Sequence, residues 1–121
     1  MTAVTPAFYR DALLTVEEGT LTIRRYGFPL TDKRIRVAEI RGAIDCPIGR
    51  WSGQLRMWGS GDFRRWWNLD LGRRRKTRAF ELDTGSRVRP MVTPDDPDAF
   101  AAALRADGVT VRETDRPLRF A

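Results

Sequence analysis

The chain has 121 residues, 22 of them basic and 16 acidic, with no histidine and a formal net charge of +6. Its length suits one domain with a core of its own, and a composition 41% hydrophobic and 31% charged excludes extended disorder. The single cysteine, Cys46, excludes an internal disulfide, and no apolar run approaches the roughly 18 residues of a membrane span.

A pI of about 10.6 and a mean hydropathy of -0.46 describe a polar, basic surface. All the basic residues except Lys33 and Lys76 are arginine, and they run from Arg10 to Arg119 without gathering in one block. The sequence therefore reads first as a solvated basic surface and only second as an anion site. A cytoplasmic protein is expected, with peripheral attachment to a membrane as the alternative.

Residues 1–11 read as a lead-in. Leu13 to Val16 and Leu21 to Tyr26 are predicted to form a hairpin around Glu17-Glu18-Gly19-Thr20, where Gly19 can take a positive φ. Gly27-Phe28-Pro29 breaks the pattern, and Lys33 to Val37 resumes it with Ile35 and Val37 inward and Arg34 and Arg36 outward. A tight turn at Ala38-Glu39-Ile40 leads to a strand from Arg41 to Cys46, which Pro47 ends. The stretch from Pro47 to Arg65 has no regular period and holds Trp51, Trp58 and Phe63 among four glycines. Those aromatics either plug the core or serve a partner, and plugging is favoured because aromatics carry large apolar areas.

Trp67, Leu69 and Leu71 then alternate with Asn68 and Asp70, which predicts a strand, and Gly72 to Lys76 reads as a hairpin tip. Phe80 and Leu82 alternate with Glu81 and Asp83, and Arg87 to Val92 forms a third run after Thr84-Gly85-Ser86. Asp96 is a good N-cap with Pro97 at the first helical position. Phe100 and Leu104 share one stripe of the helix that follows, and Gly108 stands just past its end. Residues 109–121 read as a short added strand or a tail.

Taken in order, "WGSGDF", "WNLDLGR", "FELDTGSRV" and "VTPDDPDAFAAAL" resemble the second half of bacterial pleckstrin-homology-like (PH-like) domains. In that family a Ser/Thr-Pro-x-Asp-Pro-x-x-Phe helix start recurs. The first half, "LTIRRYGFPLTDKRIRVAEI", is similar to the family's opening strands. The resemblance spans Ala12 to Asp107, most specifically Thr93 to Leu104, and places the domain at residues 12–108. It implies a mainly β fold with one C-terminal α-helix: a partly open barrel of about seven antiparallel strands, capped by that helix. Members of this fold bind inositol lipids, peptides or proteins, and most bacterial members have no known ligand. No reaction is implied.

Several constellations invite a function. Arg73-Arg74-Arg75-Lys76 at the predicted tip is the sharpest charge run and a candidate contact for anionic lipid or nucleic-acid phosphate. Arg34 and Arg36, with Arg24-Arg25 nearby, are a weaker anion-binding candidate, because the first hairpin turn carries Glu17-Glu18 and repels phosphate. Trp51, Trp58, Phe63, Arg64 and Arg65 are the candidate partner surface.

An enzyme is hard to build from this chain. Histidine is absent, Cys46 lies in an apolar strand with no base to activate it, and no carboxylate pair is fixed by spacing. Gly59-Ser60-Gly61 lacks the lysine and helix of a phosphate loop. No cofactor and no metal is expected. The sequence points to a non-catalytic binding or assembly module, with protein–protein contact or homo-oligomerisation favoured. Anionic membrane is the first alternative and non-specific nucleic-acid binding the second, while specific inositol-phosphate recognition is disfavoured.

Overall fold

A computed structural model of the chain describes residues 7–27, 31–48 and 65–115. The described residues are mainly β, with two sheets and one α-helix. The first sheet has four strands in the order β1-β2-β3-β4, all antiparallel: β1 Tyr9–Arg10, β2 Leu14–Glu17, β3 Thr20–Ile23 and β4 Lys33–Arg36. Glu17 pairs with Thr20, so the hairpin closes through Glu18 and Gly19, at φ 50° and 72°. Two successive positive φ values make the turn whose twist matches that of its strands. Val37 to Glu39 then form a single 3₁₀ turn that delivers Ile40 to the core.

The second sheet has five strands: β5 Gly42–Pro47, β6 Arg65–Trp67, β7 Arg78–Asp83, β8 Arg89–Val92 and β9 Val111–Glu113, in the order β6-β8-β7-β5-β9. Its centre is the six-residue antiparallel register of β5 on β7, from Gly42↔Asp83 to Pro47↔Arg78. The outer pairs β6–β8 and β5–β9 are parallel. The all-antiparallel expectation of about seven strands is therefore corrected: the described residues hold nine strands, two pairs of them parallel, in two sheets that share no strand.

Inward side chains of both sheets, such as Val16, Leu21 and Ile23 against Leu82 and Val92, form one core. Helix α1, Pro97–Ala106, packs onto it. Asp96 caps it by accepting the Ala99 N–H at 3.0 Å, and Gly108 ends it at φ 90°, as the sequence leads one to expect. Phe100, fully buried, stands edge-on to Tyr9 of the first sheet at 5.4 Å and to Phe80 of the second at 4.9 Å. The Tyr9 hydroxyl accepts the Asp96 N–H at 3.1 Å and donates to Asp11 at 2.5 Å, so the start of the helix is tied to the first sheet.

The strand expected through Leu71 stops at Trp67, which is buried as expected, and beyond it the apparent alternation fails. Asn68 and Asp70 are buried while Leu71 is 66% exposed. The reason is that residues 68–69 leave the second sheet and, with the Trp66 side chain of β6, dock on the end of the first. Trp66 Nε1 donates to the Tyr26 carbonyl, Asn68 Nδ2 to that of Arg24, and the Leu69 N–H to that of Arg25. The Gly72–Lys76 connection is consequently no hairpin, since β6 pairs with β8 and not with β7.

Candidate functional site

The basic run at residues 73–76 is no hairpin tip, and Arg73 and Lys76 within it are engaged inside the protein. Arg73, in a 3₁₀ turn, is fully buried. Its Nε donates to Thr93 Oγ1 at 3.1 Å, its Nη1 to the Asn68 carbonyl at 3.0 Å and its Nη2 to Asn68 Oδ1 at 2.9 Å. The guanidinium also lies 4.9 Å from the Trp67 ring. Burial pushes Arg73 down to about 10, and the nearby Asp70 charge partly opposes this. Lys76 Nζ reaches Asp70 at 2.5 Å, the Thr93 carbonyl at 2.6 Å and Asp95 at 3.2 Å. Of the four cations, Arg75 is exposed, and the Arg74 side chain lies outside the described residues.

Burial opposes ionisation of Asp70. The hydrogen bond and charge of Lys76, the Arg73 charge and the Thr93 hydroxyl outweigh it and hold the Asp70 carboxyl below its ordinary range. A carboxylate whose pKa is lower in the folded chain stabilises it above the unfolded value, about 3.9, and loses that contribution as pH falls through the folded value. Asp70→Asn is therefore expected to cost stability at neutral pH, and the deficit is expected to shrink on acidification below about pH 4. Urea midpoints of both proteins measured across that range check this. A deficit independent of pH would contradict it.

Trp51, Trp58, Phe63 and Arg64 of the candidate partner surface lie outside the described residues. Arg65, its remaining member, is half-buried and paired with Glu81. Arg34 and Arg36 stand exposed on β4, at the edge of the first sheet, away from the 73–76 turn in both sequence and sheet. Cys46 is buried, and burial, aided by Glu81 and Asp45, pushes its thiol up to about 12, which suits an inert side chain. Among the described residues no group of His, Cys, Asp and Glu side chains is placed to hold a metal ion. Among the described residues no helix is long and apolar enough to cross a membrane.

The site the structure does assemble was not legible as a motif. On the outer face of the second sheet a concavity of about 440 Å³ opens over Ile44, between Arg112 of β9 and Glu81 of β7, its cross-strand neighbours on either side. Glu81 is buried and held from two directions, by Arg65 and by Arg89 Nη1 at 2.9 Å. Arg89 also reaches Asp83 at 3.6 Å. The two carboxylates of the concavity thus already have cations. Arg41 and Arg112, which line the same wall, are exposed and have no ion pair. Arg87 extends the basic rim into an adjoining concavity of about 320 Å³, which shares Glu81 and Arg89.

Gly85 shapes this wall. Its φ of 81° closes the turn after β7, and a Cβ there would stand 3.0 Å from the Arg41 Cζ, so glycine leaves the room that the guanidinium occupies. Arg41 and Arg112 are distant in sequence from each other and from the Arg87-Val88-Arg89 run. Only the register that sets β9 beside β5 and β5 beside β7 brings them to one rim.

Comparison of the chain with family models, with curated proteins and with solved structures gives no match. The geometry alone defines the class: over the described residues, a β domain of two sheets and one helix with an arginine-rimmed concavity.

Proposed function

We propose that the chain is a non-catalytic binding module that docks an acidic segment of a protein partner, a second copy of itself included. The observation that carries this reading is the pair Arg41 and Arg112. Both face the concavity without a carboxylate of their own, while Glu81 and Asp83 beside them are already paired. An unpaired guanidinium fork suits a carboxylate, and a concave wall holds several such contacts together. Attachment to an anionic membrane through residues 73–76 has less support, because Arg73 and Lys76 are engaged inside the protein. We read the fold as a divergent PH-like one and the protein as cytoplasmic. In favour of that fold stand the Thr93–Leu104 helix start and the seat of Phe100 between the sheets. The parallel β6–β8 and β5–β9 pairs are where it departs from that pattern.

A fluorescent oligoglutamate peptide is the probe, with anisotropy as the readout at low salt. Arg41→Glu combined with Arg112→Glu is expected to weaken binding about tenfold or more, since charge-assisted hydrogen bonds contribute about 1.5–3 kcal/mol each. Arg34→Glu with Arg36→Glu is expected to leave it within about twofold, and added salt weakens the contact. Equal affinity in the first pair, or no binding by the unaltered protein, would overturn the reading. Sedimentation velocity on the same proteins reports whether the acidic partner is a second copy.

A further inference from the structure

The outer face of the first sheet is a separate surface with its own chemistry. Leu14, Val16, Leu21, Ile23 and Ile35 point into the core, so the alternate residues of the same strands point out. The register sets Arg10, Thr15, Thr22 and Arg34 in one cross-strand row and Glu17, Thr20 and Arg36 in the next. Arg24 belongs to this face too, since its Nη1 donates to Thr15 Oγ1 at 2.9 Å. Four guanidiniums therefore share this face with the partly exposed Thr20 and Thr22 and the buried Thr15; one carboxylate of the two rows, Glu17, meets Arg10 at 3.5 Å, and Glu18 follows it in the turn. Arg34 and Arg36 are exposed and have no ion pair. At the β1 edge Phe8 is 56% exposed, one of two large apolar side chains so placed among the described residues, and the Arg10 guanidinium lies 5.6 Å from its ring.

We propose that this face binds single-stranded nucleic acid. Arginine forks and threonine hydroxyls are the side chains that contact phosphate and sugar, and an exposed ring beside them offers a base a stacking partner. A single strand rather than a duplex is the fit, because a ring can stack only on an unpaired base. A membrane is the poorer fit, since among the described residues Phe8 is the one exposed large apolar side chain on this face and the threonines insert nothing among acyl chains. The surface lies on the first sheet and is independent of the concavity on the second, so either can fail without the other.

The test is anisotropy of a labelled oligothymidine with the full chain, titrated at several salt concentrations. Binding is expected with a log–log salt slope near -2, as three phosphate contacts through Arg24, Arg34 and Arg36 would give at about -0.7 each on a single strand. Arg34→Glu with Arg36→Glu is expected to weaken binding at least about tenfold and to flatten the slope, and Phe8→Ala to weaken it roughly tenfold with the slope unchanged. All three substitutions lie on exposed positions, and circular dichroism confirms that the variants fold. Three results would overturn the proposal: no binding at low salt, loss with Arg41→Glu and Arg112→Glu in place of the β4 pair, or indifference to Phe8→Ala. If the β4 pair instead abolishes sedimentation with phosphatidylserine vesicles while oligothymidine does not bind, the partner is a membrane and the nucleic-acid assignment falls.

Discussion

Arg73→Met is expected to destabilise the protein by about 3 kcal/mol or more, seen as a lower urea midpoint with an unchanged slope. Methionine fills much of the same space, so little of the loss comes from a void. It comes from the acceptors left behind: the Asn68 carbonyl, Asn68 Oδ1 and Thr93 Oγ1, all within a segment that excludes water. A buried acceptor without a donor costs about 1–3 kcal/mol. The network also joins elements that the ladders do not, because Asn68 reaches the Arg24 carbonyl just past β3 while Thr93 lies between β8 and the helix. Arg73→Lys is expected to recover only part of the loss, since an ammonium cannot reproduce three donors in a fixed planar fork. Arg75→Met, two residues on and exposed, is expected to stay within about 0.5 kcal/mol. Equal effects at positions 73 and 75 would refute the internal role of Arg73.

Phe100→Ala is expected to cost about 3–5 kcal/mol, the range for removing a large aromatic from a packed core. The ring is fully buried and touches one aromatic from each sheet, so its loss opens a cavity at the place where both sheets meet the helix. Two edge-on pairs, each contributing about 0.5–1.5 kcal/mol beyond burial, go with it. Phe100→Leu, which keeps more of the volume, is expected to lose less, and Leu71→Ala, on an exposed side chain, almost nothing. Chemical denaturation of the three variants orders them. A small effect for Phe100→Ala would mean that the helix does not hold the sheets together.

Local patterns were the legible part of this fold. The helix from Pro97 was readable because its cap, its proline and its apolar stripe are all set by neighbours a few residues apart. The Glu18-Gly19 hairpin and the β7 strand were readable for the same reason. What alternation misread was Asn68 to Leu71, where a period of two survives in the letters but the polar residues face inward. A buried arginine twenty residues from Thr93 reverses the usual rule, and no window of sequence contains both. The parallel pairing of β6 with β8 and of β5 with β9 was illegible because it depends on strands distant in the chain. The candidate sites divided along the same line. The run Arg73 to Lys76 drew attention as adjacent letters and is engaged internally at Arg73 and Lys76, whereas Arg41 and Arg112 lie 71 positions apart in the numbering and meet at one concavity only through the sheet order.

The measurement that bears most directly on the binding account is an amide-shift titration of the isotope-labelled protein with the oligoglutamate peptide. The account predicts saturable shifts clustered on Gly42, Ile44, Thr110 and Arg112, around the concavity on the second sheet. It also predicts that Thr20, Thr22, Arg34 and Arg36 on the first sheet stay still. Shifts spread evenly over every exposed arginine, or concentrated on the first sheet, would contradict it and leave the concavity as a feature of packing alone.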